Sequence, residues 1–205
     1  MSVRKVNFLL AGVGGQGTIL ASDVLAAVGL QKGLDVKKSE VHGMAQRGGS
    51  VTSHVRWGPK VYSPLIGLGE ADVFLCFEKL ETLRHVEMLR QGALVLINDY
   101  VISPLSVSSG TDQYPDDERI QSLLGSITSN YHWVPGVALA ESLGNARANN
   151  VVLLGALSHF FPDVETAAWL EAVRERVPSK FVELNERAFL AGRDDMRASG
   201  AKPLV

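Results

Sequence analysis

An apolar run at residues 6–11 passes directly into four glycines, Gly12, Gly14, Gly15 and Gly17, and then into a segment of helical periodicity at residues 18–30. That order dictates a buried strand, a tight loop and a helix, and hence a chain built from α/β units. Glycine tolerates positive φ and close backbone approach, so the first amides of the helix can face an anion with the helix dipole behind them. The loop, with Gln16 on it, is therefore a candidate phosphate or carboxylate cradle. The same glycines also suffice merely to turn the chain and let the helix pack on the strand, and both readings stand at this point. Gly12, Gly14 and Gly17 fit the GxGxxG dinucleotide fingerprint. A phosphate loop of the lysine-containing kind is excluded, because Thr18 occupies the lysine position.

The rest of the chain constrains how such units combine. Leu20, Val24, Leu25 and Val28 give the first helix one apolar stripe, and Gly29 and Gly33 bring it to a close. A second strand is expected at residues 36–41, where Asp35 or Glu40 falls near the position of the ribose-binding acid of a dinucleotide fold. Residues 42–50 form a glycine-rich polar loop, after which residues 51–57 alternate with period two, turn at Gly58 and Pro59, and return through residues 60–63. A hairpin there replaces the crossover helix of a regular dinucleotide fold, so the sheet is expected to be mixed. A strand at residues 72–77, a helix at 79–90 stopped by Gly92 and a strand at 94–98 make a βαβ unit. Residues 103–118 read as a surface loop, 119–127 as a short helix and 131–134 as a last strand. Helices are expected at residues 137–143, 149–161, 165–177 and 180–191.

With 205 residues, 46% hydrophobic and 20% charged, the chain suits one α/β domain, placed at residues 1–192, with a polar tail at 193–205 that frays or reaches a partner. The net charge of −2 gives no basic footprint, so nucleic acid is not an expected partner. No apolar stretch has bilayer length, and Arg4 and Lys5 precede a run that ends in the glycine loop rather than a cleavage site; a cytoplasmic chain without a membrane partner is expected. The single cysteine, Cys76, excludes an internal disulfide and an iron–sulfur cluster held by a cysteine set of this chain. It lies in an apolar strand and is expected to be a buried structural thiol. His42, His54, His85, His132 and His159 fall on separate elements with no ligand spacing, so no metal site is expected. No GxSxG elbow is present.

One further stretch is dense in polar chemistry. Glu40, His42, Gln46 and Arg47 stand among Gly43, Gly48 and Gly49. An arginine framed by glycines can present its fork to a carboxylate or phosphate, with Glu40 orienting it; the bland alternative is a solvated loop. His42 is either an acid or base beside this group or a plain loop histidine. Asn149 and Asn150 either cap the helix that follows or hydrogen-bond across an interface.

These residues together resemble a known family. The stretch Gly12 to Gly17, residues 40–51 with the sequence EVHGMAQRGGSV, Ser63-Pro64, Ala71-Asp72 and Phe77-Glu78 are similar to the gamma-type domain of 2-oxoacid:ferredoxin oxidoreductases, and within it to the indolepyruvate branch. The resemblance covers residues 6–192. It implies a three-layer α/β/α Rossmann-like domain with a mixed sheet containing an antiparallel hairpin. It also implies that thiamine diphosphate and [4Fe-4S] clusters reside on a larger partner subunit, in keeping with the lone cysteine, and that this chain is not catalytic alone. In such complexes a 2-oxoacid such as indolepyruvate is decarboxylated on the thiamine cofactor, electrons pass to ferredoxin and coenzyme A takes the acyl group. The residues then expected to face the partner's active centre, or to hold the pyrophosphate of coenzyme A, are Gly12, Gly14, Gly15, Gln16, Gly17, Glu40, Gln46, Arg47, Gly48 and Gly49. The alternative is a free-standing protein that binds NAD(P) or another nucleotide in the glycine loop.

Overall fold

The computed structural model describes residues 5–42 and 49–204. Strands β1 (Val6–Val13), β2 (Asp35–His42), β3 (Ser50–Gly58), β4 (Ala71–Cys76), β5 (Leu89–Asn98) and β6 (Tyr131–Val134) form one six-stranded sheet in the order β2-β3-β1-β4-β5-β6. β1, β4, β5 and β6 run parallel, whereas β3 lies antiparallel between β1 and β2. Successive side chains of a strand point to opposite faces, and here both faces are buried, which is why the central strands are apolar throughout instead of alternating. Phe8, Leu10, Val73, Leu75, Leu94 and Leu96 belong to one core, and Leu9, Ala11, Phe74, Cys76, Val95 and Ile97 to the other.

Helices close the two faces and make the structure three layers deep. On the first face lie α1 (Thr18–Gln31) and the later helices α5 (Gly136–Ser142), α6 (Asn149–His159), α7 (Thr166–Arg174) and α8 (Val182–Ala198). On the second lie α2 (Lys79–His85) and α4 (Asp117–Gly125), preceded by the single turn α3 (Leu105–Ser108). Two contacts on the first face depend on missing side chains. A Cβ on Gly29 would stand 2.5 Å from the indole nitrogen of Trp57, which donates to the Leu25 carbonyl at 3.1 Å. Gly29 therefore lies inside α1 and admits Trp57, and the helix stops only at Gly33, where φ is +74°. Gly155 of α6 and Gly192 of α8 face each other so closely that a Cβ on either would lie 1.9 Å from a carbonyl oxygen of the opposite helix.

Three expectations are corrected. The hairpin is β2 with β3, not β3 with residues 60–63. Side chains satisfy that returning segment in place of a ladder: Asp35 accepts the Val61 amide at 2.9 Å, and Arg56 donates to the carbonyls of Ser63 and Leu65. The helix after β4 ends at His85, a 3₁₀ turn follows at Val86–Met88, and Gly92, at φ +74°, sits within β5 where the pairing with β4 shifts register. Finally, α8 continues through residue 193 to Ala198 with Met196 buried, and the segment beyond it is tied down, Leu204 donating to the Phe160 carbonyl and His159 bonding to that of Ala201. Among the described residues no helix is long and apolar enough to cross a membrane.

Candidate functional site

β1 and β4 are neighbours, yet the chain leaves them in opposite directions, through α1 toward β2 and through α2 toward β5. The carboxyl ends of such a pair define the switch point of an open α/β sheet, where ligands bind. The glycine loop occupies that point. Gly12 lies under it, where a Cβ would meet Phe77 at 3.0 Å and Gln16 at 2.9 Å. Gln16 uses both ends of its amide on the chain: Oε1 accepts from the Val13 amide at 2.7 Å and Nε2 donates to the Phe77 carbonyl at 2.9 Å. Gly15 is exposed at φ +101° with nothing within 4 Å of where its Cβ would be, so the outer surface of the loop is open to a ligand or partner.

Gly17, at φ +81°, leads into α1 without a side-chain cap. Asn150 covers it from α6 and donates to its carbonyl at 3.4 Å. Asn149 reaches the Ala146 carbonyl at 2.7 Å and lies 3.5 Å from Asn98, which in turn donates to Phe77 at 3.1 Å. Neither asparagine is the N-cap of α6, which is Ala148, although Asn150 accepts the Val151 amide at 2.9 Å. They fasten the start of α6 to the glycine loop and to the end of β5, and only the doubled amide in the sequence hinted at them. Gly17→Ala would place a Cβ 2.1 Å from the Asn150 amide in a backbone conformation that alanine resists. A loss of about 2 kcal/mol in chemical denaturation is expected, and an unchanged midpoint would refute the tight contact.

The two glycine-rich loops meet. The Gly14 amide donates to the Gly49 carbonyl at 3.0 Å, joining the β1–α1 turn to the end of the β2–β3 connection. Gln46, Arg47 and Gly48 lie outside the described residues, and so does the expected pairing of Glu40 with Arg47. Glu40 itself accepts from Lys38 at 2.8 Å, and Lys38 also pairs with Asp23 of α1.

Beside this junction stands a buried carboxylate that the sequence did not single out. Glu81 of α2 is fully buried; Ser50, at the start of β3, donates to it, Arg84 pairs with it at 2.6 Å and the His85 Nε2 lies 3.2 Å away. Burial pushes the Glu81 carboxyl up, but the hydrogen bonds from His85 and Ser50 and the Arg84 charge outweigh it and hold the group below its ordinary value. The hydroxyl of Ser50 is given to the carboxylate and the same imidazole nitrogen touches both, so this is no nucleophilic relay. Glu78, 1% exposed, caps α2 by accepting from the Leu80 and Glu81 amides, and takes two more donors from Ile102 and Tyr114. His54, in β3, accepts the Ile66 amide at 3.1 Å, and burial, with the charges of His85 and Arg56, pushes its imidazole down.

The geometry speaks against nicotinamide binding. β3 intervenes between β1 and β2, which sets the acids of β2 about 10 Å from β1 where a dinucleotide fold has the strands adjacent. Asp35 lies at the far end of its strand, engaged with Lys37 and Val61. Nor is Cys76, the single cysteine, placed as a cluster ligand: it is buried, receives the Thr82 hydroxyl at 3.1 Å, donates to the Glu78 carbonyl, and burial pushes its thiol far up. Among the described residues no three His, Cys, Asp or Glu side chains converge as metal ligands.

A sheet of this order, with a glycine loop at its switch point, defines a Rossmann-like α/β domain. Residues 7–194 match the pyruvate ferredoxin/flavodoxin oxidoreductase family, and the chain belongs to that family. It is 40% identical to the indolepyruvate oxidoreductase subunit IorB of Archaeoglobus fulgidus, over 92% of this chain and 94% of that one. It is 38% identical to the IorB of Pyrococcus horikoshii over 99% of both. In structure it resembles the gamma subunit of a keto/oxoacid ferredoxin oxidoreductase from Geobacter sulfurreducens, with a TM-score of 0.68, 25% identity and coverage of 94% of this chain and 99% of that one.

Proposed function

We propose that this chain is the small subunit of an indolepyruvate or arylpyruvate:ferredoxin oxidoreductase. A larger subunit holds thiamine diphosphate and the [4Fe-4S] clusters, and ferredoxin accepts the electrons in the cytoplasm. The names of the IorB relatives, matched over nearly their whole length, support the substrate class. The sealed Cys76 supports the placement of clusters elsewhere. We treat the chain as one folding unit that runs past the expected boundary at residue 192, since both cores share one sheet and α8 crosses that boundary to Ala198.

The observation that carries the reading is the Gly14–Gly49 hydrogen bond, which joins the glycine loop after β1 to the end of the β2–β3 connection at the switch point. Thiamine diphosphate on the partner supplies the carbanion chemistry of decarboxylation. This chain's part is to wall that centre, exclude water and position the pyrophosphate of coenzyme A, through the exposed Gly15 of the glycine loop and the fork of Arg47. In the assembled complex Arg47→Ala is expected to raise the KM for coenzyme A about tenfold, the worth of one charge-assisted contact, with the KM for the 2-oxoacid unchanged. An unaltered KM for coenzyme A overturns the coenzyme contact. The subunit role is tested by anaerobic pull-down: a brown partner competent in thiamine-dependent ferredoxin reduction supports it, and recovery of the chain alone overturns it.

A further inference from the structure

The chain between β5 and α4 leaves the carboxyl end of the sheet and exposes apolar side chains there. Tyr100 is 38% exposed, Val101 44% and Leu105, on the single turn α3, 85%. Loose chain does not account for this, because the excursion is fixed at both feet to the first turn of α2. Lys79, itself 8% exposed, pairs with Asp99 at 2.7 Å at one foot and with Asp117 at 2.9 Å at the other, and its ammonium lies 4.9 Å from the centre of the Trp133 ring. The Lys79 amide donates to the Tyr100 carbonyl, and the Glu78 carboxylate takes both the Ile102 amide and the Tyr114 hydroxyl. The excursion is thus held in one shape with its apolar residues outward, at a standing cost in apolar exposure.

Its charge is one-sided. Residues 99–118 contain Asp99, Asp112, Asp116, Asp117 and Glu118 and neither lysine nor arginine, so the acids outnumber the cations at the excursion's feet, Lys79, which pairs with Asp99 and Asp117, and Arg119, which follows. Two copies meeting through this face would oppose acid to acid, since a two-fold interface sets like patches together. The face instead fits an apolar recess with a basic rim. It also adjoins the crevice, because Phe77 and Glu78 serve the glycine loop on one side and the excursion on the other.

We propose that Tyr100, Val101 and Leu105 form the knob by which this chain docks to the larger, cofactor-holding subunit, in an apolar recess rimmed by lysine and arginine. The proposal rests on the subunit role given above. A partner reaching the glycine loop at the switch point meets this knob on the same end of the sheet. Apolar anchors fixed before contact lose little side-chain freedom on docking and dominate binding, while the acidic rim steers the approach.

The test is the dissociation constant between purified chain and purified larger subunit, measured anaerobically at two salt concentrations. Leu105→Asp is expected to weaken association at least about tenfold, while Leu68→Asp leaves it unchanged. Leu68 is a fair control: it is 69% exposed, but lies before β4 at the amino end of the sheet. Both variants should keep the wild-type melting temperature, since neither side chain is buried, and association should weaken with salt. Wild-type affinity in Leu105→Asp, or equal losses in both variants, overturns the knob and leaves the subunit role intact. Self-association of the wild-type chain that Leu105→Asp abolishes overturns it in favour of a second copy. No binding by the wild-type chain removes both the knob and the subunit role.

Discussion

Gly155→Ala is expected to lower the unfolding free energy by at least about 3 kcal/mol. The new Cβ would stand 1.9 Å from the Phe189 carbonyl oxygen and 2.7 Å from its carbon, both backbone atoms of α8 that no rotamer change can move. Gly192 makes the reciprocal contact with Val152, so relief requires the two helices to separate along the whole notch. Separation opens the first-face core around Val151, Leu154, Ala188 and Phe189, which are fully buried. Gly192→Ala should behave alike, and the double variant should cost less than the sum, because once the helices part the second methyl finds room. Denaturant unfolding of the three variants checks this; a midpoint for Gly155→Ala equal to wild type would disprove the backbone contact.

Glu81→Gln is expected to cost about 2 kcal/mol at neutral pH and nearly nothing in acid. The carboxylate is fully buried and collects the Ser50 hydroxyl, the Arg84 guanidinium and the His85 imidazole, so neutralising it leaves strong donors on a weak acceptor. Arg84 can turn to water, its side chain being 41% exposed, and this keeps the loss below that of a fully enclosed pair. The folded group titrates below its ordinary 4.5. Its contribution is therefore complete above 4.5 and disappears as pH falls through the lower folded value. Stability measured across the acid range should fall more steeply in wild type than in Glu81→Gln, the two curves converging; parallel curves would mean that Glu81 is not held ionised.

The sequence showed most where local rules govern. Tyr131 to Val134 appears as β6 with the expected bounds, and the apolar run, glycine turn and periodic segment become β1, the loop and α1. What stayed hidden was decided by partners distant in the chain. β3 shows its alternation, but its pairing with both β1 and β2 depends on contacts across tens of residues, and Gly58-Pro59 reads as a hairpin turn although the following backbone is satisfied by Asp35 and Arg56. Leu89 and Arg90 extend a helical pattern, yet Arg90 pairs with Asp72 at 2.8 Å across adjacent strands, and tertiary pairing overrides propensity there. At the site, Gly15 and Gly17 were legible because glycine is favoured where φ is positive, and Gly12 because a Cβ there would press on Gln16 and Phe77. Glu81 and Asn98 were not, since a lone polar residue in an apolar helix or strand gives no sign of what it will face.

Gln16 has a kinetic consequence. By tying the Val13 amide to the Phe77 carbonyl, its side chain removes most of the freedom that a glycine loop would otherwise keep. The entropy of ordering four glycines is thereby lost once, when the chain folds, and not again at each encounter. Whatever meets the loop finds it already formed, so its arrival rate is set by diffusion and charge, with no wait for the loop to assemble.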